Sequence, residues 1–461
     1  MQLVAYGAQD VYLSGNPQIT FFKVVYRRHT NFAMESIEQV FNGAADFGRK
    51  VTATISRNGD LIHKTYLRVE LPSVSVAPGA SFRWLNWVGH ILIKSVEIEI
   101  GGQRIDKHYG DWLHIWNELT QTAGHQLGYA NLVGNTPALT TPFENTDTVA
   151  KQVAGQILWI PLEFWWCRNP GLALPLIALQ YHEVKINLEF NDVRNCYWAG
   201  KEVAGVMTTD LTQATVPALS SASLYVDYIY LDTDERRRFS QAAHEYLVEQ
   251  LQHTGDESTS QTFNKIKLNF NHPCKELIWV VQPDENVSDA APWGKQWFNY
   301  TDSFDQSYNQ TIPFTNATAG AIGMPGVAAG GANNVYLPAY FGGGENPIVT
   351  AKLQLNGHDR FSERDGRYFS LLMPYQHHEN VPSQGINVYS FALKPEEHQP
   401  SGTCNMSRID NATLNLTLTP STVTSTNGAT TTSRSAKVRV YAVNYNVLRI
   451  MSGMGGMAYS N

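Results

Sequence analysis

The sequence predicts a mainly β protein, and three observations carry that expectation. Ten short segments alternate apolar with polar residues at period two, helical periodicity is scarce, and five of the strand-like blocks recur in the same order later in the chain.

The alternating segments lie at 50–56, 66–72, 95–102, 183–190, 224–232, 265–271, 276–283, 351–357, 412–420 and 437–448. Each is short and rich in β-branched or aromatic residues, the composition that suits a pleated, half-buried surface. Asn58-Gly59, Gly101-Gly102, Asn356-Gly357 and Asp365-Gly366 supply the positive φ of tight hairpins. Helical patterning is confined to 111–120, where Trp112, Ile115, Trp116 and Leu119 share a face, and to a turn or two within 234–251. Arg236, Arg237 and Arg238 beside Asp232, Asp234 and Glu235 read as a self-neutralising surface turn.

Self-comparison then fixes the architecture. Residues 35–43 recur as 246–255, 50–72 as 265–283, 98–106 as 353–361, 185–190 as 413–418, and 224–231 as 440–447. Pro72 to Ile98 spans 26 residues whereas Pro283 to Leu353 spans 70, so the second copy carries a long insertion rich in Gly, Ala, Asn and Pro. Loops of that length in a compact domain are usually functional surfaces. Two tandem units of about 215 residues, each with roughly eight strands, point to a double jelly roll of β-sandwiches with a few short helices and long loops. The expected division is an N-terminal arm at 1–30, a first jelly roll at 31–235, and a second at 236–461 with a loop insertion at 284–350 and a tail at 449–461.

Composition narrows the function. The 461 residues include 34 Lys and Arg against 41 Asp and Glu, a net charge of −7, and only 16% are charged where roughly 25% is usual. General phosphate binding is therefore disfavoured, and 43% hydrophobic residues exclude dominant disorder. The closest approach to a nucleic-acid or lipid-headgroup contact is the stretch 21–32, where Lys23, Arg27, Arg28 and His29 lie among aromatics. An interface or packing role suits that stretch better. The N-terminus shows no secretory signal, and the most apolar runs, 157–166 and 171–179, fall short of the roughly 20 residues that span a bilayer. A cytosolic protein is expected.

Chemistry is hard to find. The P-loop, dinucleotide-binding glycine, zincin and nucleophile-elbow motifs are absent from the sequence. His182-Glu183 and His244-Glu245 lack a second histidine four residues after the first, and His377 and His378 would face opposite ways on a strand. Glu396 and Glu397 read as a solvated turn. Cys167, Cys196, Cys274 and Cys404 lie far apart with no C-x-x-C spacing and are expected as free, buried thiols. No enzyme, cofactor or metal site is expected. Sequons occur at Asn286, Asn299, Asn309, Asn316, Asn405, Asn411 and Asn415, possible glycosylation sites that read mostly as accidents of an Asn- and Thr-rich surface. The Gly- and Met-rich C-terminus suits docking to a partner or fraying equally well.

Long stretches of the chain resemble one family from end to end. The N-terminal LVAYGAQDVYLSGNPQITFFKVVYRRHTNFAMESIEQVFNG, the central EIGGQRIDKHYGDW, PGLALPLIALQYHEVKINLEF and LDTDERRRF, and the C-terminal YSFALKPEEHQPSGTCNMSRIDNATL and YNVLRIMSGMGGMAYSN are similar to the major capsid proteins of large nucleocytoplasmic DNA viruses, most nearly the chlorella-virus type. The resemblance implies two jelly rolls per chain and a homotrimer forming a pseudo-hexagonal capsomer. Such capsomers would tile an icosahedral virion shell over an internal membrane, after assembly in the host cytoplasm. It implies contacts with neighbouring capsomers, minor capsid proteins and penton proteins, long loops facing outward, and residues 1–30 facing inward. Direct specific nucleic-acid binding is not expected. The competing readings are a minor capsid or scaffold paralogue, and a double-jelly-roll carbohydrate-binding or carbohydrate-active protein.

Overall fold

The computed structural model describes residues 5, 7–203, 206–289, 291, 293–304, 344–427 and 430–459. Eight strands build the first sandwich: β1 (Phe32–Val40), β2 (Lys50–Thr54), β3 (Leu61–Glu70), β4 (Ile93–Ile100), β5 (Gln103–Tyr109), β6 (Ile157–Pro161), β7 (Val184–Phe190) and β8 (Ser221–Leu231). They pair antiparallel in two sheets ordered β1-β8-β3-β6 and β2-β7-β4-β5. The second sandwich repeats this with β9 (His244–His253), β10 (Phe263–Leu268), β11 (Pro273–Pro283), β12 (Ile348–Leu355), β13 (His358–Asp359), β14 (Ile386–Ser390), β15 (Ala412–Leu418) and β16 (Ala436–Met451). Its sheets are ordered β9-β16-β11-β14 and β10-β15-β12-β13, the same topology advanced by eight strands. This is a double jelly roll, and all five repeated sequence blocks fall on equivalent strands.

Period-two patterning sets the register, because a slip of one residue would turn every apolar side chain away from the core. Leu67 lies opposite Leu224 and Ile98 opposite Ile186 in the first sandwich, as Leu353 lies opposite Leu414 in the second. Two of the four expected turns adopt positive φ at both central positions. Gly101 and Gly102 (φ 58° and 86°) join β4 to β5, and Asn356 and Gly357 (53° and 82°) join β12 to β13. That geometry matches the right-handed twist of the flanking strands.

The helical expectations hold in part. Helix α1 (Gly110–Thr120) follows β5 and buries Trp112, Ile115, Trp116 and Leu119, and α2 (Gln126–Leu132) comes next. Helix α3 (Thr233–Gln241) supplies the turn or two expected within 234–251, and the repeated block that follows forms β9. The Arg236 guanidinium does not stay within its own turn, since it pairs with Asp60 of the first sandwich at 3.0 Å.

Between the sandwiches the packing departs from simple alternation. Leu277, Trp279, Val281, Val438, Val440 and Ala442 fill the second sandwich's interior. Ile278, Val280, Ile386, Val388, Tyr441 and Val443, on the other face of the same sheet, join the core of the first. The sheet β9-β16-β11-β14 is thus buried on both faces. The C-terminal segment closes this seam: Met454–Met457 pairs back on β16, Tyr181 donates its amide to Gly453 O (2.9 Å), and Gly455 N donates to His182 Nδ1 (3.1 Å). The described part of the tail therefore docks on its own chain.

Candidate functional site

Two surfaces stand out from the scaffold, one open and one closed. The open one begins at the N-terminal arm, where residues 7–31 are exposed apart from the half-buried Asp10. Phe21, Phe22 and Tyr26 are 90%, 98% and 87% exposed. Lys23, Arg27, Arg28 and His29 are interleaved with these aromatics and are exposed as well. Contiguous apolar surface of this kind marks an interaction segment. The arm leads into β1, an edge strand whose Phe32, Met34 and Val40 are also exposed. Beside it, the outer face of β1-β8-β3-β6 presents half-buried Tyr66, Arg68, Trp159 and Tyr225, with the Trp159 and Tyr225 rings 4.8 Å apart. A cleft of about 860 Å³ borders that face, lined by Lys64, Tyr66, Trp116, Tyr129, Glu163 and Arg168 among others.

The closed surface is the seam, and its charged groups are paired. Glu249 of β9 accepts from Arg168 of the first sandwich (2.9 Å) and from buried Lys275 of β11 (2.7 Å). Arg168 also lies over the Trp116 ring at 4.0 Å, and Lys275 Nζ donates to Pro395 O at 2.6 Å. Arg439 of β16 donates to Asp111 on α1 (2.8 Å), to Asp256 (2.7 Å) and to Gln282 (3.0 Å). Behind the seam, within the second sandwich, His378 bridges two carboxylates, Glu276 at 2.9 Å and Glu396 at 2.7 Å. Burial pulls the His378 imidazolium down, but Glu276 and Glu396 outweigh it and hold the group up at about 9. Burial likewise raises the Glu276 carboxyl, and His378, Lys275 and Arg168 more than reverse it, so its value lies below the ordinary one. Both shifts favour the ionised pair. By contrast His90 is depressed to about 3 and His114 well below its ordinary value, chiefly by burial, so both are neutral ring-stacking groups. Their neighbours are aromatic: His90 meets the Tyr129 hydroxyl at 2.8 Å, and His114 stacks on Phe298 at 4.2 Å.

Of these pairs, Arg168–Glu249 and Arg439–Asp111 cross from one sandwich to the other and fasten the two together. No cluster of three metal-ligating side chains occurs among the described residues, and no helix among them is long and apolar enough to cross a membrane.

Comparison with known proteins agrees in one direction. The family model for the large eukaryotic DNA virus major capsid protein matches residues 235–456, and that for the major capsid protein N-terminus matches residues 20–232. The chain belongs to this capsid protein family. The major capsid protein of Phaeocystis pouchetii virus is 55% identical over 100% of this chain and 99% of its own length. That of Paramecium bursaria Chlorella virus 1 is 44% identical with the same coverage. Among solved structures, a chain of the PBCV-1 virus capsid is 37% identical with a TM-score of 0.64, covering 96% of this chain and 100% of that one. The Faustovirus major capsid protein, at 13% identity and a TM-score of 0.70 over 97% and 94% of the two chains, shares the fold. The carbohydrate-directed and minor-capsid alternatives receive no support.

In this capsid protein the sequence-derived candidates are scattered. Asn286 and Asn299 are buried, with amide nitrogens donating to Asn299 O (3.1 Å) and Gln296 Oε1 (2.7 Å), and Asn415 is buried too. Asn405 and Asn411 are exposed, while Asn309 and Asn316 lie outside the described residues. Glu396 is no solvated turn residue, since it binds His378; Glu397 is exposed and pairs with Lys394 at 2.9 Å. The two adjacent histidines do part company: His377 meets Leu393 O at the surface while His378 is buried. The seam residues Arg168, Glu249, Lys275, Glu276 and Arg439 were missed by motif reasoning. Their one signal is Lys275-Glu276 set inside the otherwise apolar strand PCKELIWVVQP.

Proposed function

We propose that this major capsid protein assembles as a homotrimer whose six sandwiches form a pseudo-hexagonal capsomer of an icosahedral shell. The observation that carries this reading is an asymmetry between equivalent sheets. The outer face of β9-β16-β11-β14 is covered within the chain, whereas the equivalent face of β1-β8-β3-β6 carries accessible aromatic and charged side chains. Two similar sandwiches in each of three chains give six near-equivalent contacts if the seam inside the chain is repeated between chains, and cyclic closure then stops further growth.

Within a chain, α1 follows β5 and packs against the second sandwich, with Trp112 and Tyr441 rings 5.5 Å apart. The helical segment 368–377 follows β13 in the same way, and it exposes Leu371, Leu372 and Tyr375. In the trimer that segment packs over the open face of the next copy's first sandwich, beside the 860 Å³ cleft. The division into an arm at 1–30 and jelly rolls at 31–235 and 236–461 is part of this reading. The arm faces inward toward minor capsid proteins or the membrane, long loops face outward, and assembly takes place in the host cytoplasm; most of the 284–350 insertion lies outside the described residues. Neighbouring capsomers and penton proteins supply the lateral contacts. The role is structural and not enzymatic, and a net charge of −7 fits a shell that does not line the genome.

Deleting residues 1–25 tests the arm. Trimers that form while shells fail is the expected outcome, and normal shells from the deleted chain would overturn the inward role.

A further inference from the structure

The four cysteines are far apart in sequence, yet two of them meet. The two-residue strand Cys404–Asn405 pairs antiparallel with the start of β11, and its register sets Cys404 directly opposite Cys274. Met406 donates its amide to His272 O at 3.0 Å, closing the ladder two residues away. Directly opposed residues of an antiparallel ladder have Cα atoms about 4.5–5.5 Å apart. Disulfides span Cα separations of about 4.4–6.8 Å, so direct opposition places the two backbones within bridging range. Directly opposed residues project to the same face of a sheet. Cys274 and Met406 both lie in the second core, which puts the Cys404 side chain on the core side as well.

Both thiols are free in this structure, and their access differs. Cys274 is buried with its Sγ donating to Glu276 O at 3.1 Å, while Cys404 is half-buried. Burial raises the Cys404 thiol and the Arg360 guanidinium pulls against it.

We propose that Cys274 and Cys404 are a redox-closable staple, bridged by exchange with a small-molecule disulfide once the protein leaves a reducing compartment. The Cys404 thiolate, having released its proton to solvent, attacks one sulfur of that disulfide. A mixed disulfide forms and one small thiolate leaves. The Cys274 thiolate then attacks the Cys404 sulfur and expels nothing but the second small thiolate. Two protein thiols are oxidised, one small disulfide is reduced to two thiols, and no other oxidant is needed. The bridge closes a loop of roughly 130 residues that includes the 284–350 insertion, and cross-links across long loops restrict the unfolded chain most. It also tethers residues 391–403, which carry the Glu396 partner of His378. Burial raises the thiols of Cys274, Cys167 and Cys196 alike, but Cys167 and Cys196 of the first sandwich stand opposite no cysteine among the described strand pairs and serve as internal controls that stay reduced.

Purified full-length protein is incubated with oxidised glutathione at mildly alkaline pH, denatured, alkylated, digested without reduction and mapped by mass spectrometry. The expected result is a linked peptide pair holding Cys274 and Cys404, alkylation of Cys167 and Cys196 alone, and a raised thermal midpoint that dithiothreitol reverses. Cys404→Ser, at the more exposed position, should lose both the link and the rise. Cys274→Ala should trap glutathione on Cys404. Full alkylation of Cys274 and Cys404 in the treated wild type, or a glutathione adduct persisting on its Cys404, would overturn the proposal. The readout is a covalent link, so it is independent of whether trimers form.

Discussion

Strands β1 and β9 descend from the same repeated block and begin equivalent sheets, but they live in opposite environments. Glu38 and Gln39 of the first block correspond to Glu249 and Gln250 of the second. Glu38 is exposed on an edge strand, whereas Glu249 is buried between Arg168 and Lys275. Gln39 accepts an amide from Ser56 within its own sandwich (3.1 Å), whereas Gln250 donates to Ile105 O of the other sandwich. One sequence pattern thus serves as a free edge in one copy and as half of an interdomain joint in the other. A jelly-roll strand therefore does not determine its own burial; the neighbour that covers it does.

The comparison can be broken most forcefully at Glu249. Glu249→Ala leaves Lys275 and Arg168 without their carboxylate in a dry seam, and loss of one partner of a buried pair costs about 3–5 kcal/mol. Chemical denaturation of the purified protein measures this, and a loss below about 1 kcal/mol would show that the seam's charges are dispensable.

A pH titration probes the buried charges that lie behind the joint, within the second sandwich. The His378 value of about 9 in the folded protein exceeds its ordinary 6.5, so its contribution is complete below pH 6.5 and disappears as pH rises through 9. A shift of that size corresponds to about 3 kcal/mol. On the acid side Glu276 sits below its ordinary value, so its contribution is present above that value and is lost as pH falls. His378→Gln should flatten the alkaline limb of stability against pH; an unchanged limb would place the loss elsewhere.

Substitutions on the open face act on assembly instead. Trp159→Glu on β6 should weaken trimerisation at least tenfold, about 1.4 kcal/mol, with the subunit's own fold retained by circular dichroism. Analytical ultracentrifugation reads the first effect, and an unaltered trimer would clear this face of a contact role. Smallest of all, Glu38→Ala should change subunit stability by no more than about 0.5 kcal/mol in the same denaturation assay, the usual range for surface positions.

Much of the fold was legible because local rules agreed. The hairpins at Gly101-Gly102 and Asn356-Gly357 and the alternation in segments such as 185–190 each specify structure within a few residues. The seam was not legible in this way. Alternate positions on a strand read as solvent-facing when polar, and nothing local says that Lys275 and Gln282 will be buried or that Arg439 will reach Asp111 of the first sandwich. Strand β14 escaped notice because INVYS is short and flanked by turns. The opposition of Cys274 to Cys404 depends on a pairing across more than a hundred residues, which spacing alone does not encode. Aromatics crowded among Lys23, Arg27, Arg28 and His29 suggested an interface, and the segment is exposed in the isolated chain.

Under the proposed function, the uncovered β1-β8-β3-β6 face receives a second copy of this chain. Native mass spectrometry of the purified protein tests it directly. The prediction is a dominant species of three 51.5 kDa chains that Trp159→Glu shifts toward monomer. A wild-type protein that stays monomeric at micromolar concentration, or a trimer indifferent to that substitution, would contradict it.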